Sequence, residues 1–151
     1  MSSISGETKY VVFKIDNEYY GIDINNVKSI ERIQDFTRVP NAPPYVKGVI
    51  NLRGEVVPVI DLRMRFELTP RELDSNSRII IVFVNEIQIG LLVDSSSEVI
   101  EINGEDVDSP PIVKENISED FINGIGKQNG NLIILIDIEK VIGHKEIEQV
   151  S

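Results

Sequence analysis

Residues 46–63, VKGVINLRGEVVPVIDLR, decide how the chain folds. Val46 to Leu52 and Val56 to Ile60 are apolar runs rich in Val and Ile, with Arg53-Gly54 between them. Glycine reaches the positive φ of a tight hairpin turn, so the stretch reads as two antiparallel strands joined by that turn. Asp61 ends the second run. Its carboxylate can accept a backbone N–H, which makes it an N-cap for a short helix over Leu62 to Phe66. The pattern returns 76 residues later in INGIGKQNGNLIILIDIEKV, residues 122–141: Gly124 matches Gly48, Gly130 matches Gly54 and Asp137 matches Asp61. Strand, turn, strand, Asp and helix therefore occur twice in one order.

The flanking elements repeat as well. Tyr10 to Ile15 and Tyr19 to Ile24 read as a hairpin across Asp16-Asn17-Glu18, with Gly21 inside the return strand. Arg78 to Val84 and Ile87 to Val93 form the matching pair across Asn85-Glu86, with Gly90 in the corresponding place. A glycine inside a strand marks a bulge or a close backbone approach. Val27 to Ile33 is either strand or helix by period alone, and Glu98 to Ile102 is a strand. Residues 35–45 and 103–120 carry the prolines and are irregular; 67–77 is a polar connector.

The whole is a duplicated unit of about five strands and one short helix, over residues 10–66 and 78–142. Small five-stranded units of this kind close into barrels that leave no exposed edge. The expected fold is mainly β, with short helices: two five-stranded barrels related by a pseudo-twofold, with a groove between them. Residues 1–7 read as a disordered N-terminus. Residues 8–143 form one domain made of barrel 1 (about 8–75) and barrel 2 (about 78–143), with the first strand available for sharing. Residues 144–151 are a tail.

With 151 residues the chain can bury a sizeable core. No apolar run approaches the roughly 20 residues of a membrane span, and MSSISGETK lacks the apolar segment of a signal peptide. There is no cysteine, so neither disulfides nor thiolate chemistry are available. These features point to the cytoplasm and to no direct membrane insertion. The net charge of −10 argues against nucleic acid as a partner. That charge is uneven: residues 1–75 hold 10 Lys/Arg against 11 Asp/Glu, and residues 76–151 hold 5 against 14. The basic residues Arg32, Arg38, Lys47, Arg53, Arg63 and Arg65 fall in the first half, where they form either a solvated mixed surface or a patch for a protein partner.

Catalytic chemistry is sparse. Asp61 and Asp137 could meet across a twofold as an acid-dependent hydrolase dyad. Each, however, precedes a helix rather than lying in an exposed Asp-Thr/Ser-Gly loop, and an N-cap explains both. His144 has no His or Cys nearby for a metal site. No cofactor or metal is expected, and no enzyme activity.

YGIDINNVKSI, RVPNAPPYVKGVINLRGEVVPVIDLR, GLLVD and INGIGKQNGNLIILIDIEKV resemble the CheW family of chemotaxis coupling proteins, over about residues 8–143. The resemblance implies two Src-homology-3-like barrels and a non-catalytic adaptor that links chemoreceptors to the histidine kinase CheA. It implies a monomer in isolation that joins receptor arrays, where it alternates in rings with the kinase's regulatory domain through the two barrel ends. The receptor's helical hairpin tip would lie in the groove, against Val27, Ser29, Gly48, Asn51, Arg53, Ser96 and Val99. Ser29 stands where the family often has an acid, and Ser96 where it often has an apolar residue. The kinase contact of the second barrel would fall on Asp108 to Val113, acidic and proline-containing here. A scaffold of a non-chemotaxis receptor–kinase pathway is the alternative within the same fold.

Overall fold

A computed structural model describes residues 7–109 and 121–142. The elements follow the alternation of the sequence. They are β1 (Glu7–Ile15), β2 (Glu18–Asp23), β3 (Val27–Arg32), β4 (Val46–Leu52), β5 (Glu55–Asp61), α1 (Leu62–Arg65), β6 (Arg78–Val84), β7 (Ile87–Val93), β8 (Ser95–Asn103), β9 (Val107–Asp108), β10 (Ile122–Gln128), β11 (Asn131–Ile136) and α2 (Ile138–Ile142). Val27 to Arg32, left open by its period, is a strand.

The repeat holds at the level of backbone geometry. Arg53 and Gly54 have φ of 52° and 89°; Asn129 and Gly130 have 52° and 81°. Both turns thus carry positive φ at both central positions, the twist that fits two antiparallel strands. β4 and β5 slip register between Val46 and Gly48, as β10 and β11 do between Ile122 and Gly124. The Asp61 amide donates to the Tyr45 carbonyl at 2.8 Å, and the Asp137 amide to that of Phe121 at 2.7 Å. All of these pairs are 76 residues apart.

The strands are not partitioned as the two halves of the chain. One sheet has the order β8-β1-β2-β11-β10-β9 and the other β3-β6-β7-β5-β4. The two sheets therefore do not follow the expected division near residues 75–78. The β1–β2 hairpin joins the second half's sheet through a parallel β2–β11 pair, and the β6–β7 hairpin joins the first half's through a parallel β5–β7 pair. Parallel neighbours cannot be linked by a tight turn, so each pairs with a strand distant in the chain. The first sheet also gains a sixth strand, the two-residue β9. Bridging side chains and one backbone bridge bring the sheet margins together. Thr37 pairs with Val49 of β4, and Ile102 of β8 lies against Gly126 of β10.

Exchange works because β6 and β7 are apolar on both faces. Ile79, Ile81 and Leu92 join Ile50, Leu52, Val57 and Val59 in one core. Ile80, Val82, Leu91 and Val93 turn to the other side, where they meet Phe13, Ile15, Tyr20, Ile22 and Ile60 in the core shared between the sheets. A smaller core of Val12, Ile102, Ile133 and Leu135 fills the first sheet. Leu132, at the start of the apolar run of β11, is 61% exposed. Its counterpart 76 residues earlier, Val56, is 72% exposed.

Candidate functional site

The β4–β5 turn is the best-defined polar corner on the second sheet. Asn51 accepts the Gly54 amide on Oδ1 at 2.8 Å, which fixes the turn and with it the left-handed backbone of Arg53. The Arg53 guanidinium reaches across to β3, where Nη1 and Nη2 each stand 3.4 Å from Glu31 Oε2. The same oxygen accepts the Ser29 hydroxyl at 2.7 Å. Ser29 and Glu31 lie two residues apart on a strand and so share a face. The Glu31 side chain is 14% exposed and that of Arg53 is 69% exposed. The carboxylate forms the floor and the guanidinium the outer surface. Val56, opposite Asn51 in the register, adds an exposed apolar neighbour.

This differs from the sequence reading in three respects. Arg53, which the sequence left between a solvated surface and a partner patch, is mostly exposed yet ion-paired with Glu31. Glu31 was not singled out, although an acid on the face of Ser29 near a cationic turn is a readable signal. Its carboxylate supplies on the neighbouring position the charge that Ser29 lacks. Gly48 does not leave open space for a partner. A Cβ there would stand 2.5 Å from the Thr37 carbonyl oxygen, because the chain after β3 packs on it.

Val27 opens β3 and is half-buried against the shared core. Ser96 and Val99 lie on β8, in the other sheet. The Ser96 hydroxyl donates to the Val12 carbonyl at 3.1 Å, beside the register shift of β1 and β8. Val99 is exposed, so it offers apolar surface, whereas Ser96 is engaged within the sheet. Asp108 sits on β9 and pairs with Lys127 of β10 at 3.1 Å. Val113 and His144 lie outside the described residues.

Asp61 and Asp137 are both N-caps. Asp61 Oδ1 accepts the Arg63 amide at 3.0 Å, and Asp137 Oδ1 that of Glu139 at 3.1 Å. Burial pushes the Asp61 pKa up, and the Arg63 and Met64 amides offset part of that rise. Among the described residues, no group of three or more His, Cys, Asp or Glu side chains could hold a metal ion, and no helix is long and apolar enough to cross a membrane.

Two arginines from the first helix proved structural. Arg63 is buried, with Nη1 2.6 Å from Asp16 and 2.7 Å from Asp94, and Nε donating to the Thr69 carbonyl. Burial alone would lower its pKa, but the two carboxylates outweigh it and hold the pKa up. Arg71 adds a further bond to Asp94 at 2.9 Å. The network ties the β1–β2 turn, the start of α1 and the β7–β8 junction together, where the two sheets exchange strands. Arg65 lies between the rings of Tyr45 and Phe121, 4.9 Å from each centroid, and donates to the Val141 carbonyl of α2.

Comparison with known proteins bears on this geometry. The family described as CheW-like domain matches residues 9–146. The chain is 37% identical over 145 residues to the chemotaxis protein CheW of Treponema pallidum (strain Nichols), covering 93% of this chain and 85% of that protein. It is 40% identical over 134 residues to the CheW of Bacillus subtilis (strain 168), covering 89% and 86%. Among solved structures, the scaffolding protein TtCheW from Thermoanaerobacter tengcongensis superposes with a TM-score of 0.79 at 39% identity, covering 86% of this chain and 88% of that one.

Proposed function

The chain belongs to the CheW-like domain family, and from that premise we propose that it is a non-catalytic cytoplasmic adaptor coupling chemoreceptors to the histidine kinase CheA. The observation that carries the reading is the corner formed by Ser29, Glu31, Asn51, Arg53 and Val56. It combines an outward guanidinium with exposed apolar surface, the composition of an interface anchor. A helical hairpin at a receptor's cytoplasmic tip presents carbonyl and carboxylate oxygens that such a guanidinium can bind. Val99, exposed on the other sheet, and the half-buried Val27 are assigned to the receptor contact as apolar positions, and Asn51 acts by holding the turn. Gly48 contributes by keeping the Thr37 segment in place. The kinase's regulatory domain takes the segment from Asp108 to Val113, of which Asp108 lies on the edge strand β9. The absence of a free carboxylate pair at Asp61 and Asp137, both engaged as caps, favours an adaptor over a hydrolase.

The test is a pair of titrations, one with a receptor tip fragment and one with the kinase's regulatory domain. Arg53→Glu should weaken the receptor complex at least tenfold and leave the kinase complex intact. Val113→Arg should do the reverse, since a buried unpaired charge is costly. Loss of both contacts by either variant, with the fold preserved, would refute two separate sites. Binding of a kinase but of no chemoreceptor fragment would favour a scaffold of another receptor pathway.

A further inference from the structure

We infer that Glu31 is a positioning residue for the receptor contact. Resting on the reading above, it holds the Arg53 guanidinium in the orientation that meets an oxygen acceptor on a receptor helix.

The geometry separates the two halves of this pair. Arg53 has its backbone fixed by a left-handed turn and its Asn51 brace, but its side chain still has four rotatable bonds and is mostly exposed. Left alone, it would spread over many rotamers and lose that freedom on binding. Glu31 removes much of it beforehand. Its Oε2 lies beneath the guanidinium at 3.4 Å from both terminal nitrogens, and Ser29 fixes the carboxylate from the side at 2.7 Å. A guanidinium carries five N–H donors, and one acceptor oxygen leaves the outward donors free. A partner oxygen can therefore bind without displacing Glu31. Ordering a long side chain before association raises affinity by cutting the cost of immobilisation.

Charge placement gives the proposal a rescue. Position 29 lies on the same face of β3, so a carboxylate there can take over from Glu31. The experiment compares wild type, Glu31→Gln, the double variant Ser29→Glu with Glu31→Gln, and Arg53→Glu, each titrated with the receptor tip fragment and melted in parallel. Glu31→Gln should bind about three- to fivefold more weakly, the range expected of a part-exposed ion pair. It should melt close to wild type. The double variant should return to within about twofold of wild type, which a general packing role for Glu31 would not produce. If Glu31→Gln binds as well as or better than wild type while Arg53→Glu fails to bind, the positioning role is wrong and the docking site stands. If Arg53→Glu also binds normally, the docking site itself is wrong, and this inference falls with it.

Discussion

Replacing Gly48 by alanine tests how the segment after β3 is held against β4. An added Cβ would lie 2.5 Å from the Thr37 oxygen and 3.1 Å from its carbonyl carbon, both backbone atoms that no rotamer change can move. Gly48 also has φ of 149°, a region that side chains rarely adopt. The Thr37 segment is held there by two bonds, Thr37 amide to Val49 oxygen at 2.9 Å and Val49 amide to Thr37 oxygen at 2.8 Å. Relieving the clash breaks this bridge, at about 1 kcal/mol per hydrogen bond. Backbone strain adds a further 1 kcal/mol or so. The total is about 3 kcal/mol, and for a chain of this size that lowers the melting temperature by roughly 6–12 °C. Gly54→Ala is the control. Gly54 has φ of 89° with no atom within 4 Å of a Cβ, so it pays only the conformational cost, about 1 kcal/mol. Thermal and urea melts of both variants give the comparison, and hydrogen exchange at the Val49 amide should accelerate in Gly48→Ala alone. A Gly48→Ala protein that melts no lower than Gly54→Ala, with Val49 still protected, would refute the role assigned to Thr37.

Arg63→Met should cost about 3 kcal/mol in urea unfolding, because it leaves the nearly buried Asp94 facing fewer cations; Arg71, which still pairs with Asp94, keeps the loss from being larger. Removing Arg65 as Arg65→Met should cost about 1–2 kcal/mol in the same assay, through the lost stacking on Tyr45 and Phe121. Asp61 has a folded pKa raised by burial. Its contribution to stability is thus fully present below the unfolded pKa and is lost as pH rises through the folded one. Asparagine caps as well as aspartate and does not titrate. Asp61→Asn should therefore gain on wild type as pH goes from 3 to 7, and a stability difference that stays flat across that range in parallel urea melts would exclude the assignment.

The alternation of Val, Ile and Leu in residues 46–63, the Arg53-Gly54 turn and the 76-residue spacing to Asn129-Gly130 determined the hairpins, their caps and the existence of two related units. These are local properties. A turn needs positive φ at two named positions, and a cap needs an oxygen two residues before an amide. The run Ile79 to Val84 has no polar residue, and it is buried on both faces except at Phe83, which is 42% exposed. Which sheet each hairpin enters was not legible. β6 and β7 could have joined β10 and β11, but β6 pairs with β3 in antiparallel fashion and β7 with β5 in parallel, and only long-range pairing decides that. The same holds for charge. Arg63 and Arg53 look alike as arginines beside strands, yet one is sealed between Asp16 and Asp94 and the other stands on Glu31 at the surface. Glu31 and Arg53 are 22 residues apart in sequence, and it is the turn of the β4–β5 hairpin over β3 that brings them together.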